Sequence, residues 1–148
     1  MTQTETKVVA KVPFMVEITE QKLSDLMASA FEGGVGYWCG VGYWCRIMGY
    51  IYPEGKTRTD VEYPHIQVVM EGGRMHCHDT EEPDRHYLTM TPEEKELWTL
   101  TKEKLVKGLE VLAAKYPHHF AAIMQDNDDA GTADCLVQCA LFGELVYG

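Results

Sequence analysis

The residue types best suited to chemistry gather in Arg74-Met75-His76-Cys77-His78-Asp79, with Arg85 and His86 shortly after. On a strand, His76 and His78 project from the same face, and metal sites use that spacing. A third ligand would have to come from His65, His86 or a cysteine. The plainer reading of the pair is two solvated histidines on a strand's outer face. With Arg74 and Arg85, they form the best candidate for a polar binding site.

A second candidate lies upstream. The stretch from Glu32 to Cys45 reads EGGVGYWCGVGYWC and repeats the unit GVGYWC at 34–39 and 40–45. Tyr37, Trp38, Tyr43 and Trp44 offer flat surfaces for stacking, worth about 1–3 kcal/mol per base. Glycine lets a ligand approach the backbone closely. The same aromatics also suit a core role, sealing the joint between a helix and a sheet. Both roles stay open at this point.

Other combinations fall away on spacing. Asp126-Asn127-Asp128-Asp129-Ala130-Gly131 begins like a calcium loop, but Ala130 stands where an oxygen ligand is required and Val137 where the bidentate glutamate belongs. It reads instead as an acidic turn that favours a helix start. Cys39 and Cys45 lie too far apart for a compact zinc knuckle. Cys135 and Cys139 share one helix face among apolar neighbours, where cysteine behaves as a small core residue. No nucleophile, base and orienting group assemble, so no catalytic residue is expected. No cofactor and no metal are expected either.

These candidates need elements to position them. Val12, Phe14, Val16 and Ile18 alternate as in a strand, and Pro13 makes it an edge strand. Thr19 caps a helix from Glu20 whose face is Leu23, Leu26, Met27, Ala30 and Phe31, stopped by Gly33-Gly34. Arg46 to Tyr52 has strand character. His65 to Glu71 reads as the clearest strand, and Gly72-Gly73 as the turn of a hairpin leading into Arg74 to Asp79. That register sends Ile66, Val68, Met70, Met75 and Cys77 to the apolar face, with His76 and His78 on the other beside Arg74 and Glu71. Arg85 to Met90 adds a last strand.

The second half is expected to be helical. Thr91-Pro92-Glu93-Glu94 starts a helix that keeps Trp98, Thr101, Leu105, Leu109, Leu112 and Tyr116 on one face over roughly six turns. Gly108 inside it reads as a tolerated weak point of about 1 kcal/mol relative to alanine. Pro117 ends that helix and begins a shorter one. Thr132 caps a last helix, Gly143 stops it, and the apolar end from Glu144 to Gly148 is expected to dock. Residues 1–6 are expected to be disordered, and residues 7–148 to form a single α+β domain. Its small antiparallel β-sheet packs against three to four α-helices.

Composition narrows the partners. The 148 residues include 23 acidic and 13 basic side chains, a net charge of −10, which works against direct binding to nucleic acid or an anionic membrane. No apolar run approaches the ~20 residues that span a bilayer, and the opening MTQTETK lacks the apolar core of a signal peptide. Five cysteines without scaffold spacing fit reduced thiols in a cytoplasm.

The ends of the chain carry a resemblance. Leu26-Met27, Ala30-Phe31-Glu32-Gly33-Gly34 and Tyr37-Trp38-Cys39, with the terminal Ala140-Leu141-Phe142-Gly143-Glu144-Leu145-Val146-Tyr147-Gly148, resemble a group of small phage and prophage proteins of unassigned function. In that group a helix ending in EGG runs into YWC, and the chain closes on a version of ALFGE-hydrophobic-VYG. This chain departs from the pattern by carrying the GVGYWC unit twice. The resemblance implies a phage gene expressed in the bacterial host cytoplasm, and it implies no reaction.

The expectation is therefore a phage-encoded, non-enzymatic binding protein that counters bacterial immunity, with a homo-oligomer as a further expectation. Its ligand would be a small nucleotide-like signal held by Tyr37, Trp38, Tyr43, Trp44, Arg74, His76, His78 and Arg85. The alternative is an acidic inhibitor that occupies a nucleic-acid-binding host defence protein. A metal-dependent enzyme is the third reading, and it requires the missing histidine partner.

Overall fold

The structure, a computed structural model, describes residues 7–12, 15–32, 44–80 and 89–147. Helix α1, Glu20–Glu32, forms where the spacing predicts it, with Leu23, Leu26, Met27 and Ala30 buried along one stripe. The Thr19 hydroxyl accepts the Lys22 amide at 3.0 Å and so covers one of the helix's first unpaired donors. The expected strand ahead of it does not form among residues 7–12 and 15–19. Met15 and Val9 there are almost wholly exposed, so the alternation had no sheet to face.

Three antiparallel strands make the sheet: β1 Cys45–Ile51, β2 Arg74–Asp79 and β3 Thr99–Leu100, in the order β1-β2-β3. The expected hairpin partner of β2 is not a strand at all. Pro64–Met70 is a helix, α2, with Pro64 in its first turn. The Gln67 side-chain oxygen accepts the amides of Glu62 and Tyr63 at 2.8 and 2.7 Å, tying down the backbone that enters the helix. An apolar run as short as IQVVM satisfies either periodicity, and here the proline and glutamine decide. Gly72, at φ +97°, ends the helix, and a Cβ on Gly73 would stand 2.5 Å from the Ile51 carbonyl oxygen. The glycine pair is thus a helix-to-strand corner. Strand β2 pairs with β1 instead, with Arg46 opposite His78, Ile47 opposite Cys77 and Ile51 opposite Arg74.

The long helix expected from residue 92 is divided. Helix α3, Pro92–Leu97, starts on Thr91, whose hydroxyl accepts the Glu94 amide. The chain then straightens into β3, places Leu100 opposite Met75 and Thr99 opposite His76, and resumes as α4, Lys102–Lys115, on the Thr101 cap. Thr99 and Thr101 each carry a hydroxyl able to bond nearby backbone, which competes with a continuous helix. Helix α5, Pro117–Met124, follows Pro117 as expected.

Helix α6, Ala130–Phe142, is the centre of the fold and packs against α1, α4 and α5. Its cap is Asp129 and not Thr132: the carboxylate accepts the Thr132 amide at 2.9 Å. Gly143 ends it in the left-handed conformation at φ +72°. Gly108 of α4 proves to be a requirement, because a Cβ there would lie 2.8 Å from the Ala140 nitrogen. Among the described residues no helix is long and apolar enough to cross a membrane.

Candidate functional site

Trp44 stands just ahead of β1 and is only 3% exposed. Its ring lies parallel to Tyr147, with centroids 4.7 Å apart and planes 9° apart. Trp98 and Phe142 close on it at 6.2 and 5.8 Å. The indole Nε1 donates to Asp134 Oδ1 at 2.8 Å, as a buried tryptophan requires. Trp44 is therefore a core residue whose stacking face is already taken by this chain's own C-terminal tyrosine.

The tail that brings Tyr147 there is held by one buried side chain. Gln138 of α6 accepts the amides of Val146 and Tyr147 at 2.7 and 2.8 Å and donates to the Tyr147 carbonyl at 3.2 Å. Tyr147 in turn donates its hydroxyl to Asp79 Oδ2 at 2.7 Å, at the end of β2. The segments after α1 and before the C-terminus meet in this one joint. A glutamine inside the apolar run LVQCALF was the signal for it in the sequence.

The remaining predicted residues divide. Alternation along β2 puts His76 and His78 on one face, but they are not a solvated pair. His78 is 4% exposed, covered by Trp98 with ring centroids 5.4 Å apart. His76 Nδ1 lies 3.0 Å from the Thr99 hydroxyl, and burial, helped by the nearby Arg74 charge, lowers its pKa. Arg74 donates to Glu96 at 2.6 Å. It also lines a hollow of about 550 Å³ between Gly72-Gly73 and the start of α4. Arg74 and His78 are about 13 Å apart along the strand at ~3.3 Å per residue. Tyr37, Trp38, Tyr43 and Arg85 lie outside the described residues, as do Cys39 and His86.

Metal and thiol chemistry find little support in this arrangement. His65, a suggested third ligand, sits on α2 with Nε2 2.7 Å from Glu32. Among the described residues no three His, Cys, Asp or Glu side chains are placed to hold a metal ion. Cys135 Sγ lies 3.5 Å from His119 Nε2, which superficially resembles a nucleophile and its base. Burial pushes the Cys135 thiol up to about 11 and lowers the His119 pKa, so neither the thiolate nor the imidazolium that would stabilise it is favoured. Cys45 and Cys77 are both buried free thiols, and the Cys45 pKa is raised well above its ordinary value by a hydrogen bond with Cys77 and by burial.

A further concavity lies elsewhere, and the sequence reading missed it. A groove of about 640 Å³ runs between α1, α4 and α5, floored by Leu23, Leu109 and Phe120 and edged by Glu20, Lys102 and Glu110. Its signals were Val106 and Met124, apolar residues set off the buried helix faces. The chain matches no protein-family model, no curated protein and no solved structure.

Proposed function

We propose that this chain is a phage-encoded, non-enzymatic binding protein that acts in the bacterial cytoplasm and counters immunity by occupying a basic surface of a defence protein. Charge carries this reading. The net charge is −10, and among the described residues Lys22, Lys56, Arg74, Lys102, Lys104 and Lys107 are each held by the chain's own carboxylates. The outward field is that of an acidic surface, which steers towards and competes for a groove built for nucleic acid. The phage origin rests on the resemblance carried by Leu26-Met27, Ala30 to Gly34, Tyr37-Trp38-Cys39 and the terminal Ala140 to Gly148. Capture of a small nucleotide draws less support, since Trp44, Arg74 and His78 are engaged with their own chain.

The test is to express the protein in bacteria carrying single defined defence systems and score phage plating. The affinity for the protected system's nucleic-acid-binding component is then measured at two salt concentrations. Restored plating with binding that weakens steeply as salt rises is expected. A nucleotide carried stoichiometrically through purification, detected by mass spectrometry of the denatured protein, would replace this reading with sequestration.

A further inference from the structure

We infer that the groove between α1, α4 and α5 receives the N-terminal arm of a second copy of this chain, so that two protomers exchange arms. Apolar exposure is concentrated there. Of the eleven large hydrophobic side chains exposed among the described residues, five lie on the arm between Val8 and Val16, and Val106 and Met124 line the groove. Monomeric proteins rarely gather exposed apolar surface in one place without a partner for it.

The arm is fitted to this groove in three ways. Val16 and Ile18 already line the groove, so the arm leaves the protomer at the groove's own mouth. Val8, Val9 and Val12 beyond it are exposed. Val12 precedes a proline, which disfavours helical backbone and keeps the chain extended. Six extended residues reach about 20 Å, enough to lie across a neighbour. Charge agrees as well: residues 7–16 hold Lys7 and Lys11 and no carboxylate, within a chain of net charge −10, although at the groove edge Glu20 is already paired with Lys102 and Glu110 with Lys107. Because arm and groove adjoin, a two-fold axis beside them satisfies both grooves at once and leaves neither open to a third copy.

Sedimentation equilibrium on the full chain tests this, with hydrogen exchange on the same samples. At about 100 µM chain a dimer is expected, with the amides of residues 7–12 protected. Val12→Glu and Val106→Glu should each weaken the dimer at least tenfold with an unchanged circular dichroism spectrum. Val12 is on the exposed arm, so its substitution tests the contact without loading the core. A single-chain mass at every concentration, or a dimer that neither substitution weakens, would overturn the proposal. So would a groove filled only by a different protein.

Discussion

Gly108→Ala is the substitution whose sign separates local from tertiary reasoning. In an exposed helix the change would stabilise by about 1 kcal/mol, raising Tm by about 2–4 °C for a chain of this size. At this position the new Cβ would lie 2.8 Å from the Ala140 nitrogen, 2.9 Å from its Cα and 3.0 Å from its Cβ. Carbon atoms in good contact sit about 3.5–4 Å apart, so α4 and α6 would have to separate by roughly 0.7 Å there. A gap of that size forfeits about a quarter to a half of each dispersion contact it opens. The loss falls on Leu105, Leu109, Leu112, Leu136, Ala140 and Leu141, which belong to the core cluster. Overpacking costs about 1–3 kcal/mol, and the upper end applies because the obstructing atoms are backbone. Set against the helix gain, the net destabilisation is about 1–2 kcal/mol, a fall in Tm of about 2–8 °C. Thermal and urea unfolding followed by circular dichroism measure it. An unchanged or higher Tm would refute the close approach of the two helices.

Three further outcomes are expected. Gln138→Met removes the partner of three tail backbone groups; at about 1–3 kcal/mol for each group left unpaired, the tail should release, and tryptophan emission should shift to the red as Trp44 loses its cover. An unshifted spectrum would contradict the joint. The carboxylate of Asp129 is held below its usual range chiefly by the Thr132 amide, so its ionised form stabilises the fold above the unfolded pKa, and this contribution disappears as pH falls through the lower folded pKa. Asp129→Asn should therefore cost about 0.3–1 kcal/mol at pH 7, a difference that closes below about pH 4; urea midpoints for both proteins across pH 3–7 check it. Cys135, with its thiol at about 11 against an ordinary 9.0, should be alkylated by iodoacetamide at pH 8 about 100-fold more slowly than in the unfolded chain. Peptide mass spectrometry reads the rate, and equal rates would reinstate a reactive thiol.

The candidate site was legible only in its parts. His76 and His78 were rightly placed on one face of β2, but the face was misjudged, because Trp98, twenty residues away at the end of α3, arrives over His78. Trp44 was read with both a core role and a stacking role open, and the structure shows the core contacts. What decides between them is Tyr147, at the far end of the sequence. The groove was not seen because its walls come from three helices, none of which displays it alone.

What the amino-acid sequence determined by itself are the features set by chemistry within about four residues. The Thr19, Thr91 and Gly143 boundaries and the buried stripe of α1 are of this kind, since a cap or a helix face needs only near neighbours. Tertiary structure decided the rest. The partner of β2 came from residues 45–51, and Gly108 became indispensable only when Ala140 was brought against it. Each of these depends on which surface arrives from a distant part of the chain, and local periodicity carries no record of that arrival.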